Sequence, residues 1–466
     1  MPTWAQDLLP IVVLLIVIAL VVARLPKVDL GHSAAYRQRR FLNWFPLGLT
    51  YAFLYMGRYN LSAAKTAIGL TAEEFGLIGG IGTVTYGVAF LLNGPLTDRW
   101  GGRATILIAA AGAAAANLLM GVALAAGTIP EAEGGDRAMV VPVFGLLYAA
   151  NMYFQSFGAV SIVKVNTAWF HLRERGTFGG IFGILISLGL YFAYDPSRML
   201  LRSFPENHAL VFFVPAAILV VFFVIDFFLV RDDPTDAGQP EIDTGDVAET
   251  GPRLTVLQVG KKMITNPVIV TVAAIEFCSG FLRNAIMQWY RDFAAQTGIE
   301  EHFVAHNWGM LLCLAGILGG MFAGLLSDRL FGSRRGPVSA VLYAGLLAGA
   351  IVGVFTLTTP IYGWVIIFMS LCVIGVHGML SAAASMDFAG KKNVGVAVGL
   401  IDGMVYAGTG LQFLVLGFLM PEGEAAHDMI NWWKWPVAMI PMAVIGLVLS
   451  TRVWNARPQK AGATGH

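Results

Sequence analysis

The chain has 466 residues, of which 57% are hydrophobic and only 13% are charged. Soluble proteins carry about 25% charged residues, so this charge is too sparse to coat soluble domains of the same total length. The 30 basic and 29 acidic residues give a net charge of +1, which excludes the concentrated basic excess of a nucleic-acid-binding protein. The composition indicates a protein that crosses the lipid bilayer many times.

Apolar runs of about 20 residues predict the membrane-spanning helices. The first is an extra N-terminal helix, and the other twelve form two sets of six. The predicted spans are 8–23, 43–66, 74–97, 104–127, 138–165, 176–197, 208–230, 267–290, 304–326, 337–358, 360–386, 394–420 and 436–453. We therefore predict an all-α membrane protein with an N-terminal segment at 1–42, helix bundles at 43–230 and 267–455, a linker at 231–266 and a tail at 456–466.

The segment between the two sets is rich in Asp, Glu, Gly and Pro and is interpreted as a solvated linker. It becomes apolar and basic at 254–262, which predicts a short surface helix. The three cysteines fall in apolar runs without CxxC spacing, so we expect buried thiols and neither disulfides nor metal ligands. We expect no metal site and no cofactor.

Basic residues predict the orientation in the membrane, because Lys and Arg concentrate in cytoplasmic loops. Placing the segment with Arg37, Arg39 and Arg40 in the cytoplasm puts 21 of the 30 basic residues on that side. The main bundle then begins and ends in the cytoplasm, and the extreme N-terminus lies outside a plasma (inner) membrane. Residues 1–7 lack the positive charge of a signal peptide, so helix 8–23 is interpreted as an uncleaved anchor.

A motif recurs after the second span of each half. It reads Gly94-Pro-Leu-Thr-Asp98-Arg99-Trp-Gly-Gly-Arg103 first and Gly324-Leu-Leu-Ser-Asp328-Arg329 later. The acid can accept hydrogen bonds from basic residues and helix N-termini, so we expect gating roles; a plain helix stop is the alternative. The expected gating residues are Asp98, Arg99, Arg103, Asp328 and Arg329. Two matching copies in two six-helix halves are typical of the major facilitator fold, whose bundles, related by a pseudo-two-fold axis, rock around a central site.

No HExxH, GxSxG or Walker A signature is present in the sequence, so an enzyme is not expected.

Two arginines lie deep within spans, where a charge costs roughly 2.5–3.5 kcal/mol on insertion scales and marks a candidate functional site. Arg58 precedes Asp98 by 40 residues and Arg283 precedes Asp328 by 45, so they occupy equivalent positions and should face each other across a central cavity. Arginine grips oxyanions bidentately, and the pair predicts a site for a doubly charged oxyanion such as phosphate. The alternative is that interior acids neutralise both arginines as structural ion pairs.

The chain resembles the organophosphate:phosphate antiporter family, which includes glycerol-3-phosphate and hexose-6-phosphate exchangers. The resemblance covers the twelve-span body and rests on five segments. They are Tyr55-Met-Gly-Arg58-Tyr-Asn60, Trp169-Phe-His-Leu-Arg-Glu174-Arg175-Gly176, Phe281-Leu-Arg283-Asn284, Ser327-Asp328-Arg329-Leu-Phe-Gly-Ser-Arg334-Arg335-Gly336 and Gly390-Lys391-Lys392. The resemblance implies that Arg58 and Arg283 bind the phosphoryl group and that further residues contribute to the substrate site. The further residues are Tyr51, Tyr55, Tyr86, Tyr406 and Asn284.

The sequence departs from this family at two positions. The glycerol-phosphate exchangers have a lysine where this chain has Phe90 and a substrate-site histidine where it has Ile186. Lys164 matches a basic residue of the family, and a gating or snorkelling role is preferred for it over substrate binding. Glu276, two turns before Arg283, and Asp402 are acids within spans. We prefer neutralisation of the arginines as their role, and proton coupling is the alternative.

The resemblance implies a secondary transporter that exchanges a small organophosphate for inorganic phosphate by alternating access. We expect a monomer. Two alternatives stay open: a proton-coupled organic-anion symporter, and a membrane sensor of the same fold that binds a phosphorylated ligand without transporting it.

Overall fold

The structure, a computed structural model, describes residues 3–24, 30–130, 135–171, 174–244, 258, 261, 264–332, 334–380 and 394–456. Regular structure within these ranges is entirely helical, which confirms the predicted fold class. The long helices are α1 (Thr3–Arg24), α2 (Ala34–Ala64), α3 (Ala72–Trp100), α4 (Gly102–Ala125), α5 (Val140–Trp169), α6 (Arg175–Ser203), α7 (Leu210–Leu229), α8 (Pro267–Gln296), α9 (Trp308–Leu330), α10 (Arg335–Thr356), α11 (Ile361–Gly378), α12 (Val394–Leu419) and α13 (Lys434–Arg452).

Each predicted span corresponds to one of these helices. Among the described residues, ten helices are long and apolar enough to cross a membrane. The exceptions are α1, whose apolar part is the shorter stretch Leu9–Ala23, and α2 and α6, which are long but more polar. The protein is therefore a multi-pass membrane protein, as predicted.

The N-terminal ends of α2 and α8 are set by local capping residues, which hydropathy does not reveal. α2 begins at Ala34, well before the predicted span, because the hydroxyl of Ser33 accepts a hydrogen bond from the backbone N–H of Tyr36 at 3.1 Å. α8 begins at Pro267 after Asn266, whose side chain accepts from the backbone N–H of Val268 at 3.0 Å.

The chain forms two compact units. Unit 1 comprises Met1–Leu70, Leu92–Ala248 and His306–Leu314. Its core is a cluster of buried residues contributed by α2, α4, α5 and α7, and includes Leu47, Ile106, Phe157, Trp169 and Leu219.

Unit 2 comprises Thr71–Leu91, Glu249–Ala305 and Ala315–His466. In its interior, Tyr343 on α10 donates its hydroxyl proton to the carbonyl of Ile275 at 2.6 Å, and the indole N–H of Trp435 on α13 donates to the carbonyl of Ala285 at 2.9 Å. These bonds set α10 and α13 against α8.

The two units differ from the predicted continuous bundles at two segments. The first part of α3 belongs to unit 2. There Gly76 lies so close to α12 that a Cβ atom added to Gly76 would be only 2.7 Å from the Cα of Gly417. The first turns of α9 belong to unit 1, where the carboxylate of Asp195 on α6 accepts from the backbone N–H of Gly309 at 2.9 Å and of Met310 at 3.0 Å.

The first part of the predicted linker packs on unit 1. Pro234 is buried, and Ala237 and Ile242 contact the hydrophobic core of the unit. Asp232 accepts a hydrogen bond from the backbone N–H of Arg103, at the start of α4, at 2.8 Å. The segment 231–244 is thus tethered rather than freely solvated, while most of the predicted surface helix at 254–262 lies outside the described residues.

Candidate functional site

Arg58 lies on α2 in unit 1, and it is only 3% exposed. Its Nε donates to Oε1 of Gln155 on α5 at 2.9 Å. Its guanidinium carbon lies 4.8 Å from the centre of the Tyr55 ring, which is a cation–π contact. Both contacts are with neutral groups, so they orient the guanidinium and leave its positive charge in place.

A chain of buried amides holds Gln155 in turn. Gln155 Nε2 donates to Oδ1 of Asn151 at 2.9 Å, and Asn151 Nδ2 donates to the carbonyl of Gly57 at 2.8 Å. Asn60 Nδ2 donates to Oδ1 of Asn117 at 2.8 Å, which extends the chain to α4. A buried hydrogen-bonded network of this kind resists rearrangement, because each broken bond leaves a buried polar atom unsatisfied.

Aromatic side chains lie on the face of α2 that carries Arg58. The rings of Tyr51 and Tyr55 meet edge to face at 5.4 Å, and Tyr51 stacks on Phe182 of α6 at 5.6 Å. Ile186, at the position where glycerol-phosphate exchangers have a histidine, packs against the hydrophobic core of unit 1. The predicted site residues of unit 1 therefore comprise one cation and two tyrosine rings.

Arg283 lies half-buried on α8 in unit 2. The neighbouring Asn284 is buried, and its amide donates to Oγ1 of Thr409 on α12 at 2.8 Å. At Gly280 the two helices touch backbone to backbone, because an added Cβ would strike the carbonyl of Val405. In this structure Asn284, predicted to bind substrate, is engaged in the contact that fixes α12 beside α8.

Tyr86 and Tyr406, both predicted site residues, contact each other within unit 2. Their ring centres lie 4.2 Å apart, and Tyr86 is only 1% exposed. The ring of Phe90 stacks next to Tyr86 at 6.1 Å. The pair forms part of the contact between α3 and α12.

Glu276 lies on α8, two turns before Arg283, and is fully buried. Its Oε2 lies 2.9 Å from Nδ1 of His377 on α11, while its Oε1 is buried and makes no hydrogen bond within the described part of the chain. Asp402 lies half-buried on α12, one turn before Tyr406. The contact of Glu276 with a histidine was not predicted.

The predicted gating residues of the first half lie at the end of α3 and the start of α4. Asp98 is 73% exposed, and its Oδ1 lies 2.9 Å from Nζ of Lys164 on α5. Arg99 is exposed, while Nη2 of Arg103 donates to the carbonyl of Phe227 at 2.7 Å. Beside Lys164, a cavity of about 510 Å³ is lined partly by Asp232, Asp233 and Glu241 of the linker.

The gating residues of the second half are only partly described. Arg329 is exposed at the end of α9, and the side chain of Asp328 lies outside the described residues. The Gly390-Lys391-Lys392 segment also lies outside them.

The motif that ends in Glu174-Arg175-Gly176 is anchored by the N-terminal part of α2. Arg40 donates to both carboxylate oxygens of Glu174 at 3.0 and 2.9 Å, and the hydroxyl of Tyr36 donates to the carbonyl of Trp169 at 2.9 Å. Tyr36 precedes the predicted span, and burial raises the pKa of its hydroxyl to about 12. The hydroxyl therefore stays a donor at physiological pH.

Three of the residues described above were not predicted from the sequence: Gln155, Asn151 and His377. Gln155 and Asn151 are neutral, so a search for charges within spans does not find them. His377 is the one histidine of the predicted span 360–386, and a histidine within an apolar span is the signal that could have identified it.

Comparisons with known proteins agree with this architecture. The sequence signature of the Major Facilitator Superfamily matches residues 47–413. A probable hexose phosphate transport protein of Chlamydia trachomatis is 24% identical, over 92% of this chain and 94% of its own length. The glycerol-3-phosphate transporter of Bacillus subtilis is 24% identical, over 92% and 95%. The membrane sensor protein UhpC of Salmonella typhimurium is 26% identical, over 89% and 91%.

Among solved structures, a bacterial homologue of the human lysosomal transporter Spinster superposes with a TM-score of 0.69 at 14% identity, over 92% of this chain and 100% of that chain. This similarity shows the fold alone. The relatives confirm the resemblance predicted from the sequence.

Proposed function

Because the chain belongs to the Major Facilitator Superfamily, we propose that it is a secondary transporter that exchanges a small organophosphate for inorganic phosphate across the plasma (inner) membrane. The single observation that carries this proposal is the buried Arg58, a cation held in place by a neutral amide and a neutral ring. These two contacts fix the orientation of the guanidinium, which is the group that can bind an oxyanion.

In this proposal, Arg58 and Arg283 bind the phosphoryl group from the two halves. A phosphate ester and inorganic phosphate both present two or more anionic oxygens, which match the planar fork of arginine. Because the two anions share this group, they compete for one site. Competition of this kind makes exchange the natural mode of transport.

The organic part of the substrate lies against apolar and aromatic side chains. Tyr51 and Tyr55 supply this surface in unit 1, and Phe90 and Ile186 replace two polar residues of the glycerol-phosphate exchangers. The replacements predict weaker hydrogen bonding to the substrate's organic part and greater dependence on shape.

Alternating access requires α3 to change its contacts. Its first part belongs to unit 2, through Gly76 and the Tyr86–Tyr406 contact, and its last part belongs to unit 1. We propose that separation of these tyrosines accompanies opening of one side, and that Asp98 and its repeat partner Asp328 act in gating on the other. Because basic residues concentrate in cytoplasmic loops, this proposal has the two Asp-Arg motifs, the start of the main bundle and the C-terminus in the cytoplasm. The extreme N-terminus then lies outside.

The direct test is exchange in proteoliposomes loaded with labelled phosphate. Externally added glucose 6-phosphate, glycerol 3-phosphate or 3-phosphoglycerate should release the label in a protein-dependent manner. Replacement of either arginine by glutamine, in Arg58→Gln and Arg283→Gln, should slow exchange by about 100-fold, because each variant removes two charge-assisted hydrogen bonds.

The control is Arg452→Gln, which removes an exposed arginine at the end of α13. It should exchange at the wild-type rate. Failure of all three phosphate esters to release phosphate from vesicles that contain the wild-type protein would refute the proposal.

A second candidate is supported by the similarity to the sensor UhpC. A sensor would bind a phosphate ester without flux. Saturable binding by the purified protein, with no exchange in vesicles of the same preparation, would favour this function.

A further inference from the structure

Glu276 and His377 form a pair that the substrate site does not use directly. The carboxylate is fully buried, whereas the imidazole is 27% exposed. Their facing atoms, Oε2 and Nδ1, lie 2.9 Å apart, which is a hydrogen-bond distance and requires a proton between them. The pair thus connects a fully buried carboxylate to a partly exposed ring.

The charge on this pair depends on one proton. With neutral histidine and ionised glutamate the pair carries a charge of −1, and one added proton makes it neutral overall. A buried net charge is costly, and Oε1 of Glu276 makes no hydrogen bond within the described residues that would stabilise it. This cost falls if the pair takes up a proton or if another positive charge lies nearby.

Arg283 can supply that positive charge. It lies two turns along α8 from Glu276, about 10 Å at the rise of an α-helix. A phosphate dianion bound to Arg283 would cancel this positive charge and leave a negative charge on the pair uncompensated.

We propose, on the basis of the proposed function, that Glu276 and His377 form a proton-binding site linked to the occupancy of Arg283, so that a proton travels with the phosphate group. The proton enters from water at Nε2 of His377 while Nδ1–H passes to Oε2 of Glu276. The neutral imidazole is regenerated, and the carboxylate becomes a carboxylic acid.

Further titratable groups lie on α8 and on described helices of the same unit: Cys278 on α8 itself, Tyr343 on α10, Cys372 on α11 and Asp402 on α12. The hydroxyl of Tyr343 donates a hydrogen bond to the carbonyl of Ile275, and Cys278 and Cys372 are buried thiols. Asp402 is the carboxylate among these groups, so it is tested beside Glu276.

The test compares two rates in the same proteoliposomes: exchange of labelled inorganic phosphate at equal pH, and accumulation of labelled phosphate in exchange for internal glucose 6-phosphate, driven by an acidic exterior. In Glu276→Gln the ratio of gradient-driven accumulation to exchange should fall at least tenfold. His377→Gln should lower the same ratio, and the double variant should resemble Glu276→Gln because both residues serve one proton.

The matched control is His427→Gln, a histidine of the same unit whose Nδ1 faces the carbonyl of Gln296 instead of a carboxylate. It should keep the wild-type ratio. Wild-type ratios in both Glu276→Gln and His377→Gln, or loss of gradient-driven accumulation only in Asp402→Asn, would overturn the proposal.

A second measurement separates this inference from the proposed function. The pH-difference infrared spectrum of the purified protein should contain a protonated-carboxyl band that is absent in Glu276→Gln and shifted in His377→Gln. Lack of phosphate exchange by the wild-type protein would refute the proposed function, and the infrared band would still decide the proton site. A band unaffected by either substitution would overturn the site.

Discussion

The hydrogen bond between Gln155 and Arg58 predicts that a neutral residue outside the arginine pair controls phosphate affinity. Gln155→Leu keeps a side chain of similar size and removes the acceptor that lies 2.9 Å from Nε of Arg58. It also removes the donor to Asn151. The guanidinium then loses the contact that orients it, and its Nε is left buried without this acceptor.

The magnitude follows from the type of bond that is lost. A hydrogen bond to a charged group contributes about 1.5–3 kcal/mol of free energy. Because the same bond is also lost from the protein without phosphate, only part of this free energy is lost from phosphate binding. We therefore expect phosphate affinity to fall about tenfold, which corresponds to about 1.4 kcal/mol. Gln155→Glu should have a larger effect, because a carboxylate at this distance would compete with the phosphate for the guanidinium.

The assay is calorimetric titration of inorganic phosphate into purified protein, with thermal unfolding measured on each sample. Asn166→Leu is the control, because Asn166 is a buried amide of the same helix α5 whose donor goes to the carbonyl of Ile162. It should alter stability and leave phosphate affinity within twofold. If Gln155→Leu and Asn166→Leu bind phosphate equally, Gln155 does not position Arg58 and the reasoning is wrong.

Three further predictions concern other parts of the fold. Asp98→Asn should slow flux and leave equilibrium phosphate affinity within twofold, because Asp98 is exposed and its partner is a lysine; a loss of affinity as large as that of an arginine variant would contradict a gating role. Gly280→Ala should lower the melting temperature of the purified protein, because its Cβ would strike a backbone carbonyl, whereas Gly403→Ala has open space and should not. The hydroxyl of Thr50 has one proton but lies within hydrogen-bond distance of two oxygen atoms, the backbone carbonyl of Pro46 and, at 2.6 Å, the carboxyl group of Asp226. Because one proton cannot serve both contacts fully, Asp226 should be a neutral acid. The variant Asp226→Asn should then unfold at the wild-type temperature, and a large loss of stability would indicate an ionised carboxylate.

The sequence was sufficient for features that depend on local composition. Span length and low charge predicted the helices from α2 to α13, and the repeated Asp-Arg motif predicted two related halves. Arg58 and Arg283 were identified as candidate site residues from the sequence because a charge within an apolar span is costly and therefore conspicuous. None of these inferences requires knowing which helices are neighbours.

Contacts between helices could not be read in this way. Gln155 lies far along the chain from Arg58, and it carries no charge that would mark it. His377 and Glu276 meet only because α11 packs against α8. Hydropathy indicates which segments lie in the lipid bilayer. The pairing of side chains depends instead on how each helix is rotated about its axis and shifted along it relative to its neighbours, which is set by close approaches such as that of Gly280 to Val405.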